Sequence, residues 1–541
     1  MEIKKGKIEF VNGPCPIIPR KLPVQNIILR LRRREIIGCQ YPGTQVLTKR
    51  KFYQNVFPNY TVLNAEKPPC FLRKFSPDGK YLLAFSSDLT SIEIYKYQGP
   101  SAAAELLVGC KGEFIGHKND NASFHIRNNI FHKFFKKKRV INIIDSDERL
   151  NRECCLFTDD SRYVIVGSVR HISDELRPHF YQIYSNNEAL APNPISPLED
   201  YCFYLVDIQT GQFCDYRRFA ADKIYLSYNQ GVYLYKEILA ILSIQHQTIH
   251  IFQVIDGLFV DIRKIGRFCL EDESYIVAST AYPDINTRPF KDKITNTLKH
   301  KLLAHLYKRA ANVSKTTGSP YELRRFYQCF DKLNSLRMWK MQLLDRKHIL
   351  IRYVSEEVAT LQVIEPHVHS ALFVVYNMVS AKIIGAYDNN SSYMRTLFEK
   401  FSDSFRNPDT PYMRSPLNNI YQRLIHQRYK QPTKRLLSQL PISAQSYSSS
   451  PYLDLSLFYY DEKLMQMIDR PTTCVGNPVR FYARDSELLR FCMRFGVLGE
   501  RTTPVYARRL VALAFHPTDP FAISVQLVNT EYITSFHIRH V

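Results

Sequence analysis

The chain has 541 residues, 45% of them hydrophobic and 23% charged, and its 73 Lys and Arg against 51 Asp and Glu leave a formal charge of +22. This composition describes a globular protein, with chain enough for one very large domain or several ordinary ones. It contains no run of about 18 apolar residues, and MEIKKGKIEF lacks the apolar core of a signal peptide, so folding in the cytosol or nucleus without membrane contact is expected.

The first 50 residues stand apart as an N-terminal arm. Pro14, Pro16, Pro19 and Pro23 lead into VQNIILRLRRREIIG, where Val24, Ile27, Ile28 and Leu31 fall at helical spacing and Arg30, Arg33 and Arg34 are left to other faces. Gly38 supplies a stop. The spacing predicts a helix over 24–38, which either meets a partner or caps the protein's own body.

From residue 51 onward short strands take over. FLRKFSPDGKYLLAFSSDLTSIEIYKY, Phe71–Tyr97, alternates apolar and polar residues around Ser76-Pro77-Asp78-Gly79, where proline presets φ and glycine accepts a positive one. The layout returns at Cys155–Asp160 followed by RYVIVGSV, and in YCFYLVDIQTGQFCDYRRF with its Thr210-Gly211 turn. KIYLSYNQGVYLYKEILAILSIQHQTIHIFQV and MQLLDRKHILIRYVSEEVATLQVIE repeat it again. RLVALAFHPTDPFAISVQL copies the opening unit at the far end, with His516-Pro517-Thr518-Asp519 as its turn. Recurring antiparallel units, one of them at each chain end, predict a mainly β fold: a single irregular WD40-like β-propeller over 51–541 whose ends pair and remove free sheet edges. No Trp-Asp dipeptide occurs, and a set of separate β-sandwiches is the alternative.

Two stretches, near 284–350 and 390–440, read as helical insertions. In the first, Leu298, Leu302 and Leu306 step by four, and Leu323, Phe326, Phe330 and Leu333 continue a helical pattern to Trp339. In the second, SSYMRTLFEKFSDSF and KRLLSQL flank a Pro- and Asn-rich segment.

Nothing in the sequence recommends catalysis. Gly-x-Gly-x-x-Gly, Walker-type, His-Glu-x-x-His and Gly-x-Ser-x-Gly patterns are all missing. The 12 cysteines include no Cys-x-x-Cys pair and are expected to be reduced core thiols, while His367-x-His369 beside Glu365-Pro366 reads as a loop. No catalytic residue, metal or cofactor is expected. Lys136-Lys137-Lys138-Arg139 has the composition of a nuclear import signal, and equally of a solvated loop. Tyr307-Lys308-Arg309 and Arg324-Arg325-Phe326 interleave cations with rings, as nucleic-acid surfaces do. The favoured expectation there is an amphipathic helix that lays its aromatics on the propeller.

Longer stretches carry a resemblance. Glu66–Asp88, Leu150–Ser168, PLEDY at Pro197–Tyr201, LRMWKMQLLD at Leu336–Asp345, Leu436–Phe458, RFYARDS at Arg480–Ser486 and FHPTDPFAISVQ at Phe515–Gln526 resemble the de-etiolated protein family. The resemblance runs from about residue 24 to the C-terminus. It implies a nuclear, non-catalytic subunit of cullin-4-class RING ubiquitin ligases, joined to the triple-propeller damaged-DNA-binding adaptor and its small associated subunit. It also implies contact with a ubiquitin-conjugating enzyme or an inactive variant, cooperation with the photomorphogenesis-repressing RING ligase, and turnover of transcription factors or chromatin proteins. The arm helix then acquires a role: Ile27, Ile28 and Leu31 would fill an apolar cleft of the adaptor, with Arg30, Arg33 and Arg34 at its rim. The rival expectation is a chromatin- or RNA-binding propeller that uses its basic surface.

Overall fold

The computed structural model describes Arg32 and residues 52–540 except 111–113, 116–120, 145–147, 173–177, 179–182, 185, 187, 192–196, 227–230, 271, 274–295, 362–370, 389–390, 402–404, 406–439, 442–449, 454–456, 461–471, 475–478, 484–485, 494–508 and 529–530. The chain enters through β1 (Tyr60–Ala65) and lays down a first blade from β2 (Cys70–Phe75), β3 (Tyr81–Ser86) and β4 (Ser91–Tyr97). Strand β5 (Phe114–Ile115) and helix α1 (Asn121–Phe134) intervene before β6 (Phe135–Asn142) completes that blade. The second blade is β7 (Arg149–Phe157), β8 (Tyr163–His171), β9 (Glu199–Asp207) and β10 (Phe213–Asp222). The third is β11 (Val232–Tyr235), β12 (Ile238–Ser243), β13 (Thr248–Ile255) and β14 (Leu258–Ile265).

Helices α2 (Thr297–Thr317), α3 (Tyr321–Gln328) and α4 (Phe330–Asn334) precede the fourth blade. That blade is β15 (Leu336–Leu343), β16 (His348–Ser355), then α5 (Glu356–Leu361), β17 (Leu372–Asn377) and β18 (Lys382–Asp388). Helix α6 (Ser392–Lys400) follows. The fifth blade holds β19 (Phe458–Tyr459), β21 (Val479–Ala483) and β22 (Leu489–Met493), while β20 (Thr472–Cys474) joins the sixth, with β23 (Arg509–Phe515), β24 (Ala522–Val528) and β25 (Glu531–Ile538).

Each turn shows why its strands stop and reverse. Ser76 Oγ donates to Asp78 Oδ1 at 2.6 Å and accepts from the Tyr81 amide at 3.0 Å, and Gly79 takes φ +75°. Thr158 and Asp160 repeat the arrangement at 2.5 Å, with Tyr163 N donating to Thr158 Oγ1 at 3.1 Å. These local side-chain bonds satisfy the backbone at the reversal and fix the register that follows.

The strands then sort by burial. All six residues of β12 are buried, whereas β6 exposes the five consecutive residues Lys136–Val140 and β14 exposes most of its length. Inner strands lie between neighbours on both faces; outer strands meet water. Because side chains alternate along a strand, each blade feeds two interfaces. Leu83 and Phe85 of β3 pack towards Val164 and Val166 of the second blade, and Leu82 and Ala84 pack towards Ile523 and Phe536 of the sixth. In β12, Leu239 and Ile241 face the second blade, while Ala240 and Leu242 face Met338 and Ile349 of the fourth. Phe458 and Phe481 of the fifth blade meet Leu513 and Phe515 of the sixth. Beside the fourth blade, Leu350 and Phe373 are covered by Met394, Phe398, Phe405 and Leu440 from the segment after it.

Closure comes from the two ends. Strand β1 pairs antiparallel with β25, Thr61 opposite His537 and Val62 opposite Phe536, so the sixth blade is built from both ends of the described chain. Sequential blades, alternating interfaces and this closure make the fold an irregular β-propeller with helical insertions, as the repeating units predict.

Three details differ from the sequence expectations. The helical pattern that runs to Trp339 ends at Asn334, and Leu336–Leu343 is a strand with Trp339 buried in it, so packing against the third blade overrides local periodicity. Glu356–Leu361 is helical, although the repeat there reads as strand. Helix α1 was not foreseen. Its Ile126, Ile130, Phe131 and Phe134 sit on one face and cover the junction of the first and sixth blades.

Candidate interaction surfaces

The expected docking helix falls almost wholly outside the described residues. Of 24–38 only Arg32 is described, helical and exposed; Ile27, Ile28, Arg30, Leu31, Arg33 and Arg34 lie outside. His367 and His369 also lie outside them.

The basic quartet Lys136–Arg139 occupies β6, the outer strand of the first blade, and not a loop. Pairing with β4 skips Lys138: Ile94 lies opposite Arg139 and Tyr95 opposite Lys137, so a bulge re-aims the intervening side chain. Lys137 Nζ is 2.9 Å from Glu93 Oε1. Lys138 Nζ donates to Tyr81 Oη at 2.9 Å and sits 4.6 Å from the centre of that ring. Arg139 Nη1 donates to the Thr210 carbonyl at 2.7 Å and packs on Gly211 of the second blade. Three of the four cations therefore have partners on the propeller wall, while the strand as a whole stays exposed.

Among the described residues, the helices before the fourth blade stand largely exposed. Asn296 caps α2 by accepting from Lys299 N at 3.2 Å, and Gly318 ends it at φ +67°. Leu298 and Leu302 are buried in the core shared by the third and fourth blades, and Leu306 and Leu333 pack at its margin. Beyond this root the helices leave the propeller. Helix α3 buries no residue, and Tyr307, Tyr321, Tyr327 and Phe330 are all exposed. The expectation that these aromatics lie on the propeller is thus corrected. Only the leucines do so, and the rings pack on one another, Tyr307 to Phe326 at 5.7 Å and Phe326 to Phe330 at 6.0 Å.

A buried ion network fixes the root. Arg337 reaches Glu188 Oε2 at 2.7 Å and Glu356 Oε2 at 3.1 Å, and Lys299 in the first turn of α2 lies 3.8 Å from Glu188 and donates to the Leu336 carbonyl. Burial pushes the Lys299 ammonium down to about 8 and pushes the Glu188 carboxyl up, although Lys299 and Arg337 pull the latter back. Sequence reading missed this network because its members come from four separate segments, with Arg337 149 residues beyond Glu188.

Other buried polar groups also join blades. Gln247 in the β12–β13 turn donates to the Met338 carbonyl at 3.1 Å and accepts from the Met338 amide at 2.6 Å, as a strand peptide would. His516 Nδ1 accepts from Asp519 N at 2.9 Å, which leaves Nε2 to donate to Gly79 O at 2.8 Å across the closure. Asp78 N in turn donates to Ser161 Oγ of the second blade at 3.1 Å. Among the described residues, no group of three His, Cys, Asp or Glu side chains is placed to hold a metal ion. No described helix is long and apolar enough to cross a membrane.

The basic strand and the helices before the fourth blade are surfaces on the propeller, and the stretches that shape the propeller are informative. PLEDY contains Asp200, whose carboxylate accepts from Arg218 at 2.7 Å and from the Ala221 amide at 2.9 Å; FHPTDPFAISVQ supplies the closing turn. The model of the family described as De-etiolated protein 1 Det1 matches residues 152–540. The chain belongs to the de-etiolated protein family.

Members of this de-etiolated family include the light-mediated development protein DET1 of Solanum lycopersicum, 30% identical over 95% of this chain and 99% of that protein. The Arabidopsis thaliana light-mediated development protein DET1 is likewise 30% identical, over 95% of this chain and 99% of its own. Among solved structures, the β-propeller domain of Myceliophthora thermophila Cps50 (Swd1) aligns over 88% of this chain and 99% of its own, at 8% identity and a TM-score of 0.33. The RRP9 WD40 repeats align over 89% and 99%, at 8% identity and a TM-score of 0.29.

Proposed function

We propose that this de-etiolated family propeller is a non-catalytic scaffold and substrate-receptor subunit of a nuclear cullin-4-class RING ubiquitin ligase. The observation that carries the reading is family membership along nearly the whole chain, with relatives named for light-mediated development matched over 95% of its length. The relatives' names suit a developmental regulator, and control of protein turnover is one way in which a non-catalytic scaffold would regulate. Its partners would be the triple-propeller damaged-DNA-binding adaptor with its small associated subunit, a ubiquitin-conjugating enzyme or variant, and the photomorphogenesis-repressing RING ligase. The products of the complex would be ubiquitinated transcription factors or chromatin proteins.

In this reading a closed wheel presents fixed surfaces, and the arm supplies attachment. Ile27, Ile28 and Leu31 enter an apolar cleft of the adaptor while Arg30, Arg33 and Arg34 meet acidic or carbonyl groups at its edge. Ile28 and Leu31 stand one helical turn apart. Changing both to Asp removes two anchors, each worth about 2–5 kcal/mol when well buried, and forces charge into an apolar groove.

The test is affinity purification of tagged wild type and the Ile28→Asp/Leu31→Asp variant, read by stoichiometric partners, with a thermal melt of each. Loss of the adaptor at an unchanged melt supports the reading. Full adaptor recovery at an unchanged melt overturns the docking helix, and a sharply lowered melt assigns the helix to the protein's own body. Recovery of nucleic acid in place of ligase subunits, released steeply as salt rises, would favour the chromatin- or RNA-binding alternative.

A further inference from the structure

The helices α2 to α4 carry a feature that neither the fold nor adaptor docking uses. Their root is anchored by Leu298, Leu302, the Lys299–Glu188–Arg337 network and a bond from Arg309 to the Ala386 carbonyl at 2.9 Å. Apart from these anchors and Leu333, which packs at the propeller's margin, the helices hold large rings in the open: Tyr321 is 64% and Tyr327 61% exposed, with Tyr307 and Phe330 near 40%. A contiguous exposed apolar strip on an anchored element is the mark of an interaction site.

The charge around the strip is one-sided. From Tyr307 to Asn334 the cations are Lys308, Arg309, Lys315, Arg324, Arg325 and Lys332, against Glu322 and Asp331 alone. Glu322 is already engaged by Arg325 at 3.9 Å, and Arg309 is bound to the fourth blade. Lys308, Lys315, Arg324 and Lys332 remain as exposed cations on the same helices as the rings.

Aromatics among cations fit two kinds of partner, and the ring geometry discriminates between them. Bases stack flat on ring faces. Here Tyr307 meets Phe326 and Tyr327 with planes inclined at 65°, Phe326 meets Tyr327 at 73° and Phe330 at 68°. Edge-to-face packing of this kind occupies faces that a base would need, and leaves a knobbed apolar ridge. A ridge of that form between two helices suits aliphatic side chains spaced along one face of a third helix, as in helix-in-groove recognition.

We propose that the ring cluster on the flank of the α2–α4 helices, formed by Tyr307, Phe326, Tyr327 and Phe330, docks an acidic amphipathic helix of a protein partner. Aliphatic anchors of that helix would seat among the rings, and its Asp and Glu residues would face Lys308, Lys315, Arg324 and Lys332. The proposal uses none of the arm residues, so it stands or falls independently of adaptor docking.

The experiment uses the full chain and three labelled probes: a designed helical peptide with Leu at i, i+3, i+4 and i+7 and Glu on its other faces, the same peptide with Lys in place of Glu, and a single-stranded oligonucleotide. The proposal expects the Glu peptide to bind and the Lys peptide not to. Tyr307→Ala/Tyr327→Ala should weaken the Glu peptide about tenfold or more, since anchor truncations exceed about 1 kcal/mol. Arg324→Glu/Arg325→Glu should weaken it similarly and shift preference towards the Lys peptide, while both variants keep the wild-type melt. No binding of the Glu peptide, binding indifferent to both variants, or capture of the oligonucleotide in a way both variants abolish would overturn the proposal. So would a sharply lowered melt for the tyrosine variant, which would make the strip the hairpin's own packing.

Discussion

Gly79→Ala probes the closure of the propeller at its tightest point. Gly79 holds φ +75°, and a Cβ added there would lie 2.5 Å from His516 Cε1 and 2.6 Å from Nε2. The imidazole cannot swing aside freely, because it is buried, its Nδ1 is engaged by Asp519 N and it lies 4.6 Å from the Tyr97 ring centre. The left-handed backbone costs an alanine about 1–2 kcal/mol, and displacing the bond to Gly79 O leaves a buried group unsatisfied for about 1–3 kcal/mol more. At about 2.1 cal/mol/K per residue, the unfolding entropy of 541 residues is roughly 1.1 kcal/mol/K, so a loss of about 2–5 kcal/mol lowers Tm by roughly 2–4 °C. The control is Gly109→Ala, where φ is +81° and nothing lies within 4 Å of the added methyl group, so only the backbone cost applies. Scanning calorimetry of both variants, each with and without His516→Ala, isolates the contact. Equal melts for Gly79→Ala and Gly109→Ala would refute the closure argument.

Three further expectations follow from the same geometry. Burial holds the His537 imidazole down at about 3, against its ordinary 6.5, between Thr61 Oγ1 and Ser524 Oγ. The unfolded chain takes up that proton as pH falls through 6.5 and the folded chain does not, so this stability is full above that value and lost towards pH 3 at about 1.4 kcal/mol per unit; urea titrations across pH should show a shallower acid limb for His537→Asn. Truncation before Leu510 deletes β24, β25 and nearly all of β23, unpairs β1 and opens the sixth blade, so the remainder should lose cooperative unfolding in calorimetry and not merely melt a little lower. Replacing Lys136–Arg139 with Ala should shift a tagged protein to the cytoplasm, with a melt lowered by about 1 kcal/mol equivalent or less because such exposed pairs contribute little; unchanged nuclear accumulation would exclude the quartet as the import signal.

The sequence by itself determined the parts of this protein that are local. Ser76-Pro77-Asp78-Gly79 and Thr158-Asp159-Asp160-Ser161 specify reversals through bonds within a few residues, and the alternation in YLLAFS or ILAILS fixes which side chains face which neighbour once neighbours exist. That is why strands, turns and the likeness of the two chain ends were legible. Tertiary structure alone decided what depends on distant partners. Trp339 is strand and not helix because β15 finds β16 and the third blade; the Glu188–Arg337–Lys299 network exists only where three chain segments meet; Lys136–Arg139 becomes a propeller edge because β4 lies beside it. The helical spacing of Leu298, Leu302 and Leu306 is readable, but whether Tyr307 and Tyr327 turn inwards or outwards depends on how far the propeller surface extends beneath them. Periodicity records that a residue has an apolar face, and only the packed neighbours determine whether anything covers it.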